Sequence, residues 1–114
     1  AYLNGELVGV NAVSTTSSSV QSDAAALLFG ATVESSASYS RFNGDIDEVR
    51  LWNVARSLDD LRADMTQVLP AGTPGLLGYW KMDEVSGSTL FDASGNGNTG
   101  AIINATRISS PVRV

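Results

Sequence analysis

The sequence predicts an all-β fold, an antiparallel sandwich that carries one short helix. Short apolar runs recur along the chain and are separated by turns rich in Gly, Asn and Ser, the pattern of a strand-and-turn protein. Both faces of the segment 45–53 carry apolar bulk, as an inner strand of a two-layer sandwich does. Residues 57–69 form the one clear helical pattern.

Length and charge place the chain among small folded proteins. It has 114 residues, enough for one domain and too few for two complete ones. Its net charge is −5, with 7 basic and 12 acidic residues and no basic cluster, so nucleic acid is not an expected partner. No apolar run approaches the roughly 18 residues of a membrane helix, so membrane insertion is not expected either.

The chain contains no cysteine and no histidine. Disulfides, thiolate metal sites and cysteine nucleophiles are therefore excluded. The absence of histidine removes the commonest general base and rules out a Ser-His-Asp triad within this chain.

The first elements are a hairpin and a polar stretch. Residues 1–10 predict two short strands around Asn4 and Gly5, the dipeptide best suited to a type I′ turn because both positions need a positive φ. Residues 11–24 predict a loop or a Ser/Thr-rich edge strand.

The next segments lead to the predicted inner strand. The apolar run 25–33 predicts a buried strand, and Gly30 within it indicates a bulge or a close backbone approach. Residues 34–41 are polar again. The segment 45–53 follows, with Trp52 near one end of the strand.

The helix is predicted over residues 57–69. Ser57 is a good N-cap, and Asp60 stands at the capping-box spacing. Its apolar side chains form one stripe that we expect to dock on the sandwich: Leu58, Leu61, Met65, and Val68 or Leu69. Pro70 ends the helix. Strands and turns then resume, with strands predicted over 76–82, 101–103, 106–108 and 111–114.

Two segments resemble parts of a known family. Residues 42–56 read FNGDIDEVRLWNVAR, and residues 75–100 read GLLGYWKMDEVSGSTLFDASGNGNTG. The first resembles the closing strand of a laminin-G-like (concanavalin A-like) jelly-roll domain of bacterial surface proteins. The second resembles the opening strands of the same kind of domain, and residues 1–10 resemble its "NGxLV" hairpin. The resemblance implies a jelly-roll sandwich whose ending precedes its beginning in this chain.

Two domain arrangements follow from this order. In the tandem arrangement, residues 1–69 are the C-terminal strands and trailing helix of one repeat, 70–74 a linker, and 75–114 the N-terminal strands of the next. In the exchange arrangement, the strand at 76–82 folds back onto the strand at 45–53, and copies of the chain complete one another.

The resemblance implies a non-catalytic module of an extracellular or cell-surface protein that serves adhesion, carbohydrate binding or a structural repeat. The alternative is a subunit that self-assembles by strand exchange into a homo-oligomer or filament. A glucanase-like hydrolase is a third reading, in which Asp45 and Asp47 share one face of a strand. A glycan or another surface protein would be the partner.

The resemblance also implies a structural calcium ion where the first and last strands meet. Calcium prefers several hard oxygen ligands. The candidate ligands are Asp45 and Asp47 on the closing strand and Asp83 and Glu84 after the opening strand. Solvent-facing charges, or cross-strand pairing of the Glu48–Arg50 type, are the alternative.

The segment 92–98 also has oxygen-bearing side chains at alternate positions, like the start of an EF-hand loop. The acidic ligand expected at the twelfth position is replaced by Ile103. The alternative is a Gly/Asn turn. Sugar binding uses exposed aromatic rings, and the candidates here are Tyr2 and Tyr39.

Overall fold

A computed structural model describes residues 1–10, 26–35 and 38–109. The described residues form eight short strands and one short helix, which confirms the all-β class. The elements are β1 Tyr2–Leu3, β2 Glu6–Leu7, β3 Ala31–Ser35, β4 Ser38–Arg41, β5 Val49–Trp52, α1 Leu58–Asp64, β6 Leu76–Trp80, β7 Thr89–Leu90 and β8 Gly100–Ala101. They pair as β1–β2, β3–β4, β5–β6 and β7–β8, four two-stranded sheets.

The chain divides into two compact units. One comprises Ala1–Leu3 and Leu7–Ile46, and the other comprises Asn4–Glu6 together with the chain from Asp47 onward. The second unit runs without a break through the predicted linker at 70–74. Within that segment the Gly72 amide donates a hydrogen bond to the Ser94 carbonyl at 2.9 Å. The boundaries 1–69 and 75–114 stay a prediction.

The hairpin turn between β1 and β2 has the predicted left-handed backbone. Asn4 has a φ of 52° and Gly5 a φ of 75°, as a type I′ turn requires. Arg62 of α1 donates through Nε to the Gly5 carbonyl at 2.8 Å. The tip of this hairpin is thereby attached to the helix.

The predicted buried strand at 25–33 is wrong for most of its length. Leu27 and Leu28 are exposed and lie outside any strand, and β3 begins only at Ala31. Gly30 has a φ of 75° and accepts a hydrogen bond from the Phe42 amide at 2.9 Å, so the chain turns there and the ladder starts after it. The polar residues after β3 include a strand, β4, that pairs with it in antiparallel fashion.

Gly30 also makes the predicted close approach. A Cβ built on it would stand 2.8 Å from Cδ1 of Ile46.

The helix is shorter than predicted. It spans Leu58–Asp64 rather than 57–69, and Met65 and Val68 are exposed instead of extending a buried stripe. Its start agrees with the prediction, because the Asp60 amide donates to Oγ of Ser57 at 3.1 Å and both halves of the capping box are present. Its end is set by the guanidinium of Arg50, described below.

The closing strand is also shorter than predicted. Only Val49–Trp52 of the segment 45–53 is a strand. Glu48 has a φ of 52°, a conformation outside the extended region, and its amide donates to Oδ1 of Asp47 at 3.0 Å. This local bond ends the ladder on the N-terminal side. Leu51 is 39% exposed, so β5 is not an inner strand in the described chain.

The core of the second unit lies around β6. Leu76, Tyr79 and Trp80 are buried there, together with the hydroxyl side chain of Ser94. β6 ends at Trp80 rather than at the predicted residue 82, and Met82 has a φ of 57°. Trp52, at the end of β5, is half-buried.

The last predicted strands are only partly present. The strand predicted over 101–103 is reduced to β8, which pairs with β7. Residues 106–108 do not form a strand, and the side chain of Arg107 bonds that segment to the Thr89 carbonyl. The tail at 111–114 and the polar stretch at 11–24 lie outside the described residues. In the part of the chain that is described, no helix has the length and apolar character needed to cross a membrane.

Candidate functional site

The pairing of β5 with β6 brings together the two segments on which the resemblance rests. The strands are antiparallel, with Val49 opposite Trp80, Arg50 opposite Tyr79 and Leu51 opposite Gly78, and the register shifts before Trp52. β5 and β6 are therefore hydrogen-bonded neighbours within one chain, and the two domain arrangements stay predictions. We call β5, β6 and the side chains bonded to them the paired-strand site.

A polar cluster lies on one face of this pair. The Arg50 guanidinium stacks 4.7 Å from the ring centroid of Tyr79 and donates to Oε2 of Glu48 at 3.0 Å. The Tyr79 hydroxyl donates to the same carboxylate oxygen. Tyr79 is completely buried, and burial together with the hydrogen bond to Glu48 raises the pKa of its hydroxyl. The hydroxyl therefore stays protonated and keeps its role as a donor.

The same guanidinium determines where α1 ends. Arg50 donates to the backbone carbonyls of Asp64 and Gln67, the latter at 2.8 Å. These carbonyls lie at and just beyond the last turn of the helix, where no amide within the helix is available. A cation at this end also suits the negative end of the helix dipole. Arg50 thus joins strand and helix in one contact.

A second arginine supports the same corner. The Arg56 guanidinium lies 4.2 Å from the ring centroid of Trp52 and pairs with Asp64 at 2.6 Å. Among the described residues, neither guanidinium group has a hydrogen-bond partner for its buried Nε. The planar group therefore combines ring stacking with carboxylate binding, a combination that lysine does not offer.

The second edge of β6 is closed by the turn 92–98. Trp80 and Asp92 form an antiparallel bridge, and the Ala93 amide donates to the Tyr79 carbonyl at 2.7 Å. Beyond this bridge, side chains replace a backbone ladder. The carbonyls of Leu76 and Leu77 accept hydrogen bonds from Ser94, Asn96 and Asn98.

Asp92 is the centre of this turn. One carboxylate oxygen accepts from the amides of Tyr79 and Ser94, each at 2.9 Å, and the other accepts from the amide of Asn98 at 2.9 Å. Burial by itself raises the pKa of this carboxyl, but the hydrogen bonds outweigh burial and lower it below the ordinary value. The oxygen-rich spacing therefore builds a Gly/Asn turn, in which Gly95 and Gly97 have positive φ.

Glu84 is likewise held by the protein itself. It accepts from the Phe91 amide at 2.7 Å and pairs with Arg107 at 2.9 Å. Burial raises the pKa of Glu84, yet the bond from the Phe91 amide and the neighbouring Arg107 lower it overall. Arg107 also donates to the carbonyls of Gly87 and Thr89.

The other predicted calcium ligands are more scattered. Asp83 is exposed and pairs with Lys81 at 2.8 Å, Asp45 is exposed, and Asp47 is half-buried beside Glu48. Within the described residues, no three acidic, histidine or cysteine side chains gather into a group that could hold a metal ion. The calcium site stays a prediction.

Of the two predicted sugar-binding aromatics, Tyr2 is the one whose side chain the structure describes. Tyr2 is exposed on β1. The side chain of Tyr39 lies outside the described part. The ion pair of Glu48 with Arg50 was one of the alternatives that the sequence left open. The part that Tyr79 plays was not predicted, because it depends on the pairing of β5 with β6.

Comparison with known protein families matches residues 1–62 to a laminin-G-type family model, described as the concanavalin A-like lectin/glucanases superfamily. The match covers 62 of the 114 residues, more than half of the chain. The chain belongs to this superfamily. The matched concanavalin A-like region contains β1–β5 and ends inside α1, so the resemblance of residues 75–100 to a domain's opening strands stays a prediction. No curated protein and no solved structure matches the chain.

Proposed function

We propose that the chain is a non-catalytic structural module of an extracellular or cell-surface protein. The pairing of β5 with β6 carries this proposal. β5 lies in the matched concanavalin A-like region and pairs there with β6, which lies beyond the match, and the two strands share the hydrogen-bonded cluster around Arg50 and Tyr79. Such a pair can be the first part of a larger sheet. Strands from a neighbouring repeat would then complete that sheet.

The engagement of the carboxylates supports a non-catalytic role. Glu48 accepts from Tyr79 and Arg50, Glu84 accepts from Arg107, and Asp92 accepts from three backbone amides. Glycoside hydrolysis uses one carboxyl group as acid and a second as nucleophile or base, both directed at the substrate. Glu48, Glu84 and Asp92 are directed into the protein instead, whereas Asp45 of the candidate hydrolase pair is exposed, so that pair needs a test of its own.

Hydrogen–deuterium exchange tests the structural role. We expect the amides of residues 76–80, together with those of β5 that bond to them, to exchange more slowly than the exposed loop around Val85. Arg50→Lys should speed exchange in both strands, because lysine lacks the fork that binds Glu48 and two carbonyls at once. Arg41→Lys, on the exposed end of β4, is the matched control. Equally fast exchange in β6 and in the loop would refute the proposal.

A glucan hydrolysis assay tests the non-catalytic part of the proposal. Incubation of the chain with a panel of β-glucans should release no reducing sugar above the blank. Sustained release that disappears in the Asp45→Asn, Asp47→Asn double variant would show that the chain is a hydrolase instead.

Self-assembly by strand exchange between copies is the second candidate, and the open edge of β5 favours it. The turn 92–98 closes one edge of β6, whereas no strand of the described chain lies beside the outer edge of β5. Leu51 and Leu77 are each 39% exposed on this pair. Unpaired strand edges with exposed apolar side chains are templates for a further strand.

Size-exclusion chromatography with light scattering over a range of concentrations tests self-assembly. A homo-oligomer or filament should grow with concentration and be weakened by Leu51→Lys, which places a charge on the open edge. Val85→Lys makes a similar change of charge on a loop and should have no effect. A monomer at every concentration would eliminate this candidate.

A glycan or another surface protein is the partner that we propose for the module. The exposed ring of Tyr2 supports it, because sugar rings stack on exposed aromatic faces. A glycan array with the chain and its Tyr2→Ala and Tyr39→Ala variants tests this. Binding that the variants lose supports a lectin-like partner, and an empty array leaves surface proteins as the partners to be screened.

A further inference from the structure

The sequence contains three Asn-Gly pairs, at 4–5, 43–44 and 96–97. They differ in the hydrogen bonds and backbone conformation around them. An Asn followed by Gly is chemically labile, because a residue without a Cβ lets its backbone nitrogen approach the preceding amide side chain. The reaction needs that side chain to rotate freely and the following backbone to bend. The surroundings of each pair therefore decide its reactivity.

Asn96 is held in place. Its Nδ2 donates to the carbonyls of Leu76 at 2.9 Å and Leu77 at 3.1 Å and to Oγ of Ser94 at 3.1 Å. These bonds close the edge of β6, so rotating the amide toward Gly97 would break them.

Asn4 is constrained through its backbone. It occupies the type I′ turn with a φ of 52°, between two paired strands. Gly5 is buried, its carbonyl accepts from Arg62 Nε at 2.8 Å, and Arg62 and Met65 crowd its Cα. The backbone at this pair cannot bend without detaching the hairpin from the helix.

Asn43 has neither constraint. Asn43 and Gly44 are both exposed, they lie between β4 and β5 rather than in a strand, and neither has a left-handed φ. Across the described residues, no hydrogen bond holds the Asn43 side chain or the Gly44 amide. The ring of Phe42 lies against Gly44, with Cζ 2.7 Å from where a Cβ would stand, so this close contact depends on the glycine.

We infer that Asn43 is a site of spontaneous deamidation, with water as co-reactant. The Gly44 backbone nitrogen loses its proton and attacks Cγ of Asn43; an N–Cγ bond forms, the Cγ–Nδ2 bond breaks, and ammonia leaves. Water then opens the cyclic imide at either of its two carbonyl carbons. The products are aspartate or isoaspartate at position 43.

The modification changes the charge and the backbone of the closing segment. Each event takes the net charge of the chain from −5 to −6 and places a carboxylate two residues before Asp45. The isoaspartate form adds a methylene to the backbone between β4 and β5. The chain therefore becomes heterogeneous in charge as it ages.

Peptide mapping by mass spectrometry after timed incubation of the full chain tests this inference. In native buffer, Asn43 should deamidate faster than Asn96 by about tenfold or more, which corresponds to ~1.4 kcal/mol of extra barrier at Asn96. In concentrated urea, the three pairs should react at similar rates, because each is then an unfolded Asn-Gly sequence. The folded chain and the denatured chain thus serve as matched controls for each other.

Two variants sharpen the result. Asn43→Gln should abolish the modification at this position, since the longer side chain does not readily form the five-membered ring, while Asn4 and Asn96 keep their rates. Asn96→Asp should leave the rate at Asn43 unchanged. The inference is overturned if native Asn43 reacts no faster than native Asn96, or if folding slows Asn43 as much as it slows the other two pairs.

Discussion

Asp92 shows what one side chain does when backbone amides converge on it. Its two oxygens accept from the amides of Tyr79, Ser94 and Asn98, which come from β6 and from both halves of the turn 92–98. Hydrogen bonds to a charged acceptor are stronger than neutral ones, and an amide left without its acceptor costs further free energy. This carboxylate therefore stabilises both the turn and the closed edge of β6.

Replacing Asp92 should lower the free energy of unfolding, and the loss should grow with the number of acceptor oxygens removed. We expect Asp92→Ala to lower the free energy of unfolding by about 2–4 kcal/mol, and Asp92→Asn, which keeps one acceptor oxygen, by about 1–2 kcal/mol. Asp83→Ala, which removes an exposed ion pair with Lys81, should cost ~0.5 kcal/mol or less. Urea denaturation measures all three. Equal losses for Asp92→Ala and Asp83→Ala would contradict this role.

Asp92 and Glu84 also predict how stability depends on pH. The folded chain lowers both pKa values below their ordinary values of 3.8 and 4.5, so the unfolded chain takes up protons first as the pH falls. The contribution of both groups is therefore complete above those ordinary values and is lost as the pH drops through the lower folded pKa values. Urea midpoints from neutral to acidic pH should decline in this window. The Asp92→Asn, Glu84→Gln double variant should show a flatter profile.

At the scale of elements, β6 depends on a glycine in its middle. A Cβ built on Gly78 would stand 2.3 Å from the Trp80 ring, because the indole folds back over this position and donates to the Asn98 carbonyl at 2.8 Å. Glycine weakens a strand in general, so its presence here reflects the close approach of the indole. The ring fills the space that a side chain would need.

Gly78→Ala should therefore be destabilising, although alanine usually suits a strand better than glycine. We expect a loss of about 1–3 kcal/mol in the free energy of unfolding, because the Trp80 ring must move. Trp80 fluorescence should shift at the same time. Gly9→Ala is the control, since a Cβ there meets no described atom within 4 Å. A neutral or stabilising effect of Gly78→Ala would show that the ring relocates freely.

The C-terminal end of helix α1 is determined by a neighbouring strand and not by the local sequence. The start was predictable, since Ser57 and Asp60 are close in sequence and cap each other. The end was not, because its carbonyls are bound by Arg50, 14 and 17 residues away along the chain. Residues 65–69 keep their apolar spacing, yet Met65 and Val68 remain exposed.

For the whole molecule, calcium binding is the proposal that depends on several segments at once. If the ion binds where closing and opening segments meet, calcium at about a hundredfold excess over its Kd should stabilise the chain by ~2.7 kcal/mol relative to chelator. Melting curves in calcium and in chelator measure the difference. Asp47→Asn and Glu84→Gln should each reduce that difference, and Asp59→Asn on the helix should not. Identical melting midpoints in calcium and in chelator would show that the chain does not bind calcium.

The sequence by itself determined the strand-rich class, the Asn4-Gly5 turn, the capped helix start and the family. Each of these depends on residues that are adjacent or follow a short period, so local sterics and hydrogen bonds are sufficient. Only the tertiary structure decided how the candidate site is built. The side chains of Glu48, Arg50 and Tyr79 meet because β5 pairs with β6, and the side chains of the turn 92–98 bond to the backbone of β6. Those outcomes depend on contacts between residues far apart in the chain. Strand register and burial determine which residues meet, and neither can be predicted from the local sequence pattern.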